Sequence, residues 1–304
     1  MKNHALKGSI LVILSTFAFG AIPVISQLAL HENLNIPTVL FFRFFIASCI
    51  TWTYIFTKKL NYKIDLSHFF YLGILSIVGF LGTAYFIYVA YTYISGSLAT
   101  IILFTHPAMI SCYEFFVMKT SRDIRKILAL ICATIGMILV VWSPNIELNI
   151  LGVIFSLLSA ICYSFYALGL NEKRTRKLNS IVISGYVSFF CSISYFIVGL
   201  FKHTIFIPTT TNGWIYILIL ATFSTVFATI TFCKGIQLIG PSTAVIISTF
   251  EPVVACVSGF FILDEVLTLP MIIGGVLILS AIFILQIPQK NIYKFFHIKI
   301  KENL

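Results

Sequence analysis

The sequence predicts an all-α membrane protein with ten transmembrane helices built as two inverted five-helix repeats. Three observations support this fold class: an apolar composition, ten apolar runs of spanning length, and an internal repeat. Of the 304 residues, 59% are hydrophobic and 10% are charged, whereas about a quarter of the residues in a typical soluble domain are charged. A protein with this composition would have a largely apolar surface, which is stable in lipid rather than in water. The composition therefore excludes an ordinary soluble domain.

The ten apolar runs each have about 20 residues, the length a helix needs to cross the hydrocarbon core of a bilayer. We number them helix one to helix ten; they lie at 8–30, 36–57, 67–91, 95–117, 124–142, 150–171, 181–201, 213–234, 241–262 and 268–287. The first run follows a charged start, as in a signal peptide, but it continues to Leu30 without a convincing cleavage site. We therefore predict a spanning helix there.

Lysine and arginine are distributed very unevenly between the two sides of the predicted topology. With the N-terminus inside, 18 of the 20 cations fall on the cytoplasmic side, while Lys202 lies outside and Arg43 lies within helix two. The positive-inside rule then places both the N and C termini in the cytoplasm. The abundance of Ile, Lys, Asn and Phe is typical of an AT-rich bacterial genome, so we expect the bacterial cytoplasmic (inner) membrane.

The net charge of +10 is explained by this topology, because the cations form no stripe that would bind nucleic acid. The basic cytoplasmic tail, 288–304, alternates Lys with apolar residues. Such a tail either lies on the inner leaflet or is solvated.

The two halves of the chain repeat one another. Residues 94–139 align with 239–284 at a constant offset of 145, and the matches include Pro107 with Pro252. The repeats are predicted at 1–142 and 150–287, and each has five helices, so the second must cross the membrane in the opposite sense. Inverted repeats are typical of secondary transporters, in which two antiparallel copies expose a midplane site to each side in turn.

Several motifs resemble the drug/metabolite transporter superfamily, in its EamA-type branch. They are Phe19-Gly20 in helix one, Arg43 in FFRFFIAS, the helix-four text YISGSLATIILFTHPAMI, and the helix-nine text GPSTAVIISTFEPVVACVSGFFILDEVLT. The first half departs from the pattern, since Thr120 stands where the second half has Glu265.

The resemblance implies a secondary transporter that moves a small organic metabolite, amino-acid-like or related, by alternating access. It favours export, with proton coupling or facilitated diffusion both open. Uptake of host or environmental metabolites is the alternative, and a channel or a receptor without transport is a more distant one. The expected partners are a small-molecule substrate, the lipid bilayer and protons; the oligomeric state stays open.

Two ionisable residues lie at the centre of predicted helices, where insertion of a charge costs about 2.5 to 3.5 kcal/mol. Glu251 precedes Pro252, which frees the carbonyl of Ser248, so we predict a substrate or proton site there; a structural hydrogen bond is the alternative. His106 precedes Pro107 and is the repeat equivalent of Glu251, and Pro107 and Pro252 are predicted to break their helices. We expect both ionisable residues near the midplane, where the pair could share a proton, unless His106 only packs.

Other polar residues are weaker candidates for the substrate or proton pathway. Arg43 either binds a substrate carboxylate through its planar fork or clamps helix two to a neighbour. Four tyrosines at membrane depth could stack on an aromatic or cationic solute: Tyr85, Tyr88, Tyr163 and Tyr166. Glu114, one turn from the end of helix four and close to Lys119, is predicted to be interfacial.

Enzymatic and primary-pump functions find no support in the sequence. It contains no HExxH, GxSxG or GxxxxGK[ST] motif, so we expect neither an enzyme nor an ATP-driven pump. The seven cysteines all lie in apolar runs without a CxxC pair. We expect no metal and no cofactor.

Overall fold

A computed structural model describes residues 2–91, 93–94, 99, 102–118, 124–140, 149–202, 204–263 and 268–286. Every regular element in these ranges is helical. The first half contains α1 (Lys2–Gly20), α2 (Ile22–His31), α3 (Ile36–Thr57), α4 (Leu66–Ile74), π1 (Leu75–Leu81), α5 (Gly82–Tyr91), α6 (His106–Phe116) and α7 (Ile124–Val140). The second contains α8 (Ile150–Gly169), α9 (Lys173–Arg176), α10 (Ser180–Lys202), α11 (Thr211–Ala221), π2 (Thr222–Phe227), α12 (Ala228–Ile239), α13 (Pro241–Ser248), α14 (Glu251–Leu263) and α15 (Leu269–Gln286). The tail 288–304, Thr120 and Glu265 lie outside the described residues.

Seven helices in the described ranges are long and apolar enough to cross a membrane. They are Ala5–Ser26, Ile36–Thr57, Leu66–Ile87, Ile150–Gly169, Ser180–Phe201, Thr211–Ile239 and Pro241–Ile262. Three of the predicted runs correspond to shorter described segments, namely helix four to α6, helix five to α7 and helix ten to α15. The protein is thus all-helical in its described part, with helices close to the predicted positions.

Three of the predicted helices are interrupted, and two of them, helices four and nine, are interrupted at the predicted prolines. Helix one turns at Ala21 between α1 and α2, and helix nine is divided by a two-residue turn at Thr249 and Phe250. In helix four a turn at Phe104 and Thr105 precedes α6. The cause is a proline just after each turn, at 23, 107 and 252, because proline has no N–H with which to continue the helical hydrogen bonds.

Threonine hydroxyls stabilise two of these breaks. Thr105 Oγ1 donates to the carbonyl of Ile102 at 2.7 Å, and Thr249 Oγ1 donates to the carbonyl of Ile246 at 2.6 Å. The breaks occupy equivalent positions in the repeat, since α14 begins 145 residues after α6 (106 to 251).

Helices three and eight each contain a π-helical segment that the sequence pattern did not predict. π1 joins α4 to α5, and π2 joins α11 to α12; the second begins 147 residues after the first (75 to 222). Another helix contacts a carbonyl in each segment. Cys191 Sγ lies 3.9 Å from the Ser76 oxygen, and Arg43 Nη2 donates to the Ser224 oxygen at 3.1 Å. Such segments widen a helix by one residue and often mark functional sites.

Helices of one half pack mainly on helices of the other. α1 packs on α12, α5 on α8, α3 on α10, and α7 on α15. In the α7–α15 pair the backbones approach so closely that a Cβ on Gly136 would lie 2.7 Å from the Gly274 oxygen. The two repeats are therefore interleaved.

Candidate functional site

Glu251 is the first residue of α14, where helix nine resumes after its break. Its side chain is partly buried, and within the described part of the chain it makes no hydrogen bond or ion pair. Helix one approaches the break at Gly20, where a Cβ would lie 2.9 Å from the Glu251 carbonyl oxygen and 2.6 Å from Val254 Cβ. The absence of a side chain at Gly20 thus allows α1 to support the break.

His106 is the first residue of α6 and occupies the equivalent break in helix four. The residue is 3% exposed. Its Nδ1 lies 3.0 Å from the Leu103 carbonyl oxygen, which assigns the proton to Nδ1 and leaves Nε2 as an acceptor. Nε2 is buried and has no hydrogen-bond partner among the described residues. A buried nitrogen without a partner is costly, so this atom is available to a ligand or a water molecule.

Tyr163 of α8 connects these two residues. Its ring centroid lies 4.4 Å from that of His106, and Glu251 lies near enough to Tyr163 for a charge on one side chain to act on the other. Phe232 of α12 flanks the tyrosine at 6.3 Å between centroids. The structure therefore brings together three of the predicted site residues, Glu251, His106 and Tyr163, which we call the central cluster.

The other predicted tyrosines lie elsewhere. Tyr166 is 1% exposed, and its hydroxyl lies 3.9 Å from Cys233 Sγ, which makes it part of the packed core. Tyr85 is 55% exposed on the surface of α5, where it cannot line an interior site. The side chain of Tyr88 lies outside the described residues.

Arg43 is buried between α3 and π2. Its Nε donates to Thr225 Oγ1 at 2.6 Å, and its Nη2 donates to the Ser224 carbonyl oxygen at 3.1 Å. The guanidinium also lies 5.3 Å from the ring centroid of Phe44. These contacts fit the alternative in which Arg43 clamps helix two to a neighbouring helix.

Glu114, predicted to be interfacial, is buried between helices near the end of α6. The residue is 8% exposed, because its carboxylate turns towards two other helices. Oε2 accepts from Lys126 Nζ at 3.0 Å, and Oε1 accepts from the backbone N–H of Ser242 at 3.4 Å. The sequence offers a signal for the first contact only: an acid near the end of one helix and a lysine near the start of the next. Lys119, the neighbour considered from the sequence, lies outside the described residues.

A groove of about 400 Å³ lies between α3 and α10, and the residues that line it do not belong to the central cluster. Its wall is mostly aromatic: Phe41, Phe45, Trp52, Phe189 and Phe196. Several of these rings are substantially exposed, so the groove opens towards the lipid.

The sequence profile of the EamA-like transporter family matches residues 6–142 and again residues 150–287. The chain belongs to the EamA-like transporter family. Membership identifies it as a membrane transporter of small molecules, and the double match confirms that it consists of two EamA repeats. The resemblance drawn from the motifs in helices one, two, four and nine is thereby confirmed.

No curated protein matches this EamA-like sequence. A solved crystal structure of a protein superposes on it with a TM-score of 0.77, over 94% of this chain and 98% of that chain, at 12% sequence identity. At this identity the likeness supports the fold alone.

Proposed function

We propose that this EamA-like protein is a proton-coupled secondary transporter that exports a small amino-acid-like metabolite across the cytoplasmic membrane. It has ten transmembrane helices in two inverted five-helix repeats, its termini are cytoplasmic, and it works by alternating access. One observation carries the proposal: His106 and Glu251 begin the resumed halves of equivalent broken helices, and Tyr163 packs its ring on His106 and lies near Glu251.

The packing of the helices supports an inverted arrangement. A pseudo-two-fold axis that exchanges the halves maps helix one onto six and helix eight onto three, so it maps the α1–α12 contact onto the α5–α8 contact. The α3–α10 contact joins helices two and seven, and the α7–α15 contact joins helices five and ten. The axis exchanges the two partners in each of these pairs, so each contact maps onto itself. Because each repeat has an odd number of helices, this exchange also inverts their direction in the membrane.

The chemistry of the central cluster supports a substrate with both an amine and a carboxylate. A carboxylate that is partly removed from water and has no partner among the described residues is costly, so Glu251 is neutral with a bound proton or is paired with a substrate cation. The half-helix N-termini at His106 and Glu251 carry partial positive charge, which favours a substrate carboxylate. A proton and an amine competing for Glu251 would couple the proton gradient to transport.

The proposal is tested by flux of a metabolite panel in proteoliposomes, with and without an imposed pH gradient. We expect saturable, gradient-driven flux of an amino-acid-like compound in the wild type. Glu251→Gln keeps the size of the side chain and removes its titration, so gradient-driven flux is lost while the protein stays folded. Glu172→Gln, in the loop after α8 and about half exposed, is the matched control and retains flux.

Two outcomes would contradict this proposal. Saturable flux that ignores the gradient and survives Glu251→Gln would indicate facilitated diffusion with a structural glutamate. Flux that neither saturates nor shows counterflow would indicate a channel.

A further inference from the structure

Glu114 joins the two repeats at one end of the helix bundle. It belongs to the last turns of α6 and is held by Lys126 of α7, 3.0 Å from Oε2. Its other oxygen accepts from the backbone N–H of Ser242, at the start of α13 in the second repeat. Beside this bond, Ser111 Oγ and Ser242 Oγ lie 3.0 Å apart. Two hydrogen bonds thus cross between the repeats at Ser242.

The start of α13 needs an acceptor from outside its own segment. The first N–H groups of a helix have no partner within the helix, and a side chain at the N-cap usually supplies one. Here the N-cap is Gly240, which has no side chain and adopts φ 81°. The next residue, Pro241, has no N–H, so Ser242 carries the first free donor. Glu114 supplies the missing acceptor, and its charge suits the positive end of the helix.

The repeat does not duplicate this arrangement. At the offset of 145, Glu114 corresponds to Gly259, Lys126 to Met271 and Ser111 to Cys256. Glycine has no side chain with which to cap a helix, and methionine cannot pair with a carboxylate. The Glu114 contacts are therefore not repeated at the equivalent positions of the second half, and in the proposed topology they lie at the cytoplasmic end.

We propose that Glu114 is a positioning residue that latches the cytoplasmic ends of the two repeats and holds the transporter closed on that side. The inference rests on the proposed function, because opening to the cytoplasm requires α6 and α13 to separate. On opening, Glu114 stays with Lys126 of its own repeat and releases the Ser242 N–H.

Disulfide trapping tests the latch without a known substrate. The hydroxyls of Ser111 and Ser242 are close enough for a Ser111→Cys/Ser242→Cys pair to satisfy disulfide geometry after a small adjustment. Membranes that contain this double variant are oxidised with copper phenanthroline, and free thiols are counted by the gel shift of a PEG-maleimide. Each single cysteine variant controls for bonds to native Cys112, which is exposed.

We expect the pair to cross-link rapidly, and Glu114→Gln in this background to slow the reaction about tenfold, as expected for loss of a charge-assisted hydrogen bond. Glu114→Asp keeps the charge but falls short of Ser242, so it slows the reaction as well and serves if Glu114→Gln fails to fold. Glu172→Gln leaves the rate unchanged.

Equal cross-linking rates with and without the Glu114 substitutions would overturn the latch. Because this readout does not depend on flux, the proposed transport would still stand if the flux assay succeeds. If flux fails but Glu114→Gln slows the cross-linking, the contact between the repeats stands and the transport proposal falls.

Discussion

The rings of His106 and Tyr163 lie 4.4 Å apart between centroids, with an interplanar angle of 56°. The contact joins α6 of the first repeat to α8 of the second, beside the residue that begins α14. His106 Nε2 is buried without a partner in the described part of the chain. The central cluster thus combines a fixed aromatic ring, an available acceptor and a carboxyl group, which a transporter needs to orient a small polar solute.

Tyr163→Phe should impair transport selectively. The variant keeps the ring contact with His106 and removes the hydroxyl group, the polar group that Tyr163 contributes to the central cluster beside Glu251. We expect a KM about tenfold higher, as for loss of one hydrogen bond from the hydroxyl to a charged group of the substrate. The measurement is concentration-dependent flux in proteoliposomes. Tyr85→Phe is the matched control, because that residue is 55% exposed on α5, and equal KM changes in both variants would remove Tyr163 from the site.

Substitution of His106 by Asn or Gln can distinguish the roles of its two ring nitrogens. The Asn amide nitrogen approximates Nδ1, which contacts the Leu103 carbonyl, whereas the Gln amide approximates Nε2. If Nε2 binds substrate, His106→Gln should retain more flux than His106→Asn. Thermal unfolding in detergent should show the opposite order, because only Asn keeps the bond to Leu103. The reverse order of flux would make His106 a packing residue.

Arg43→Lys should lower stability more than substrate affinity. The guanidinium bonds to both Thr225 Oγ1 and the Ser224 carbonyl oxygen, and a lysine ammonium cannot reproduce this fork. Loss of one bond to a charged group costs about 1.5 to 3 kcal/mol, which should lower the unfolding temperature in detergent. Unchanged stability with strongly weakened binding of carboxylate substrates would assign Arg43 to the substrate instead.

Gly20→Ala and Gly275→Ala should have opposite effects. A Cβ at Gly20 would lie 2.6 Å from Val254 Cβ, so α1 or the break at Glu251 must shift, and overpacking of this kind costs about 1 to 3 kcal/mol. At Gly275 the nearest atom, Val253 Cγ1, would lie at 3.4 Å, so alanine fits and raises helix propensity by up to about 1 kcal/mol. Unfolding temperatures and flux of both variants test this contrast, and equal responses would contradict it.

The positions of the helices and the breaks in helices four and nine follow from the sequence. Apolar runs of spanning length locate the helices, and Pro107 and Pro252, in register at an offset of 145, mark the breaks. The same register brings His106 and Glu251 to equivalent places. Local signals of this kind suffice because a proline removes its own hydrogen bond wherever the chain folds.

The features that escaped prediction depend on contacts between distant segments. No residue in π1 or π2 demands a widened turn, and the carbonyl of Ser224 is instead bound by Arg43, 181 residues away. The burial of Glu114 depends on Ser242, 128 residues away. The orientation of Tyr85 depends on which face of α5 packs on α8. A single sequence does not show directly which distant residues will be in contact.

The two π segments also indicate how the two repeats arose. A π turn arises when one residue is inserted into an α-helix and the surrounding packing keeps both flanks in place. Helices three and eight carry such a turn at corresponding positions of two EamA repeats. One insertion before gene duplication explains this more simply than two independent insertions afterwards. On this interpretation, the single ancestral repeat already had the widened turn before it was duplicated.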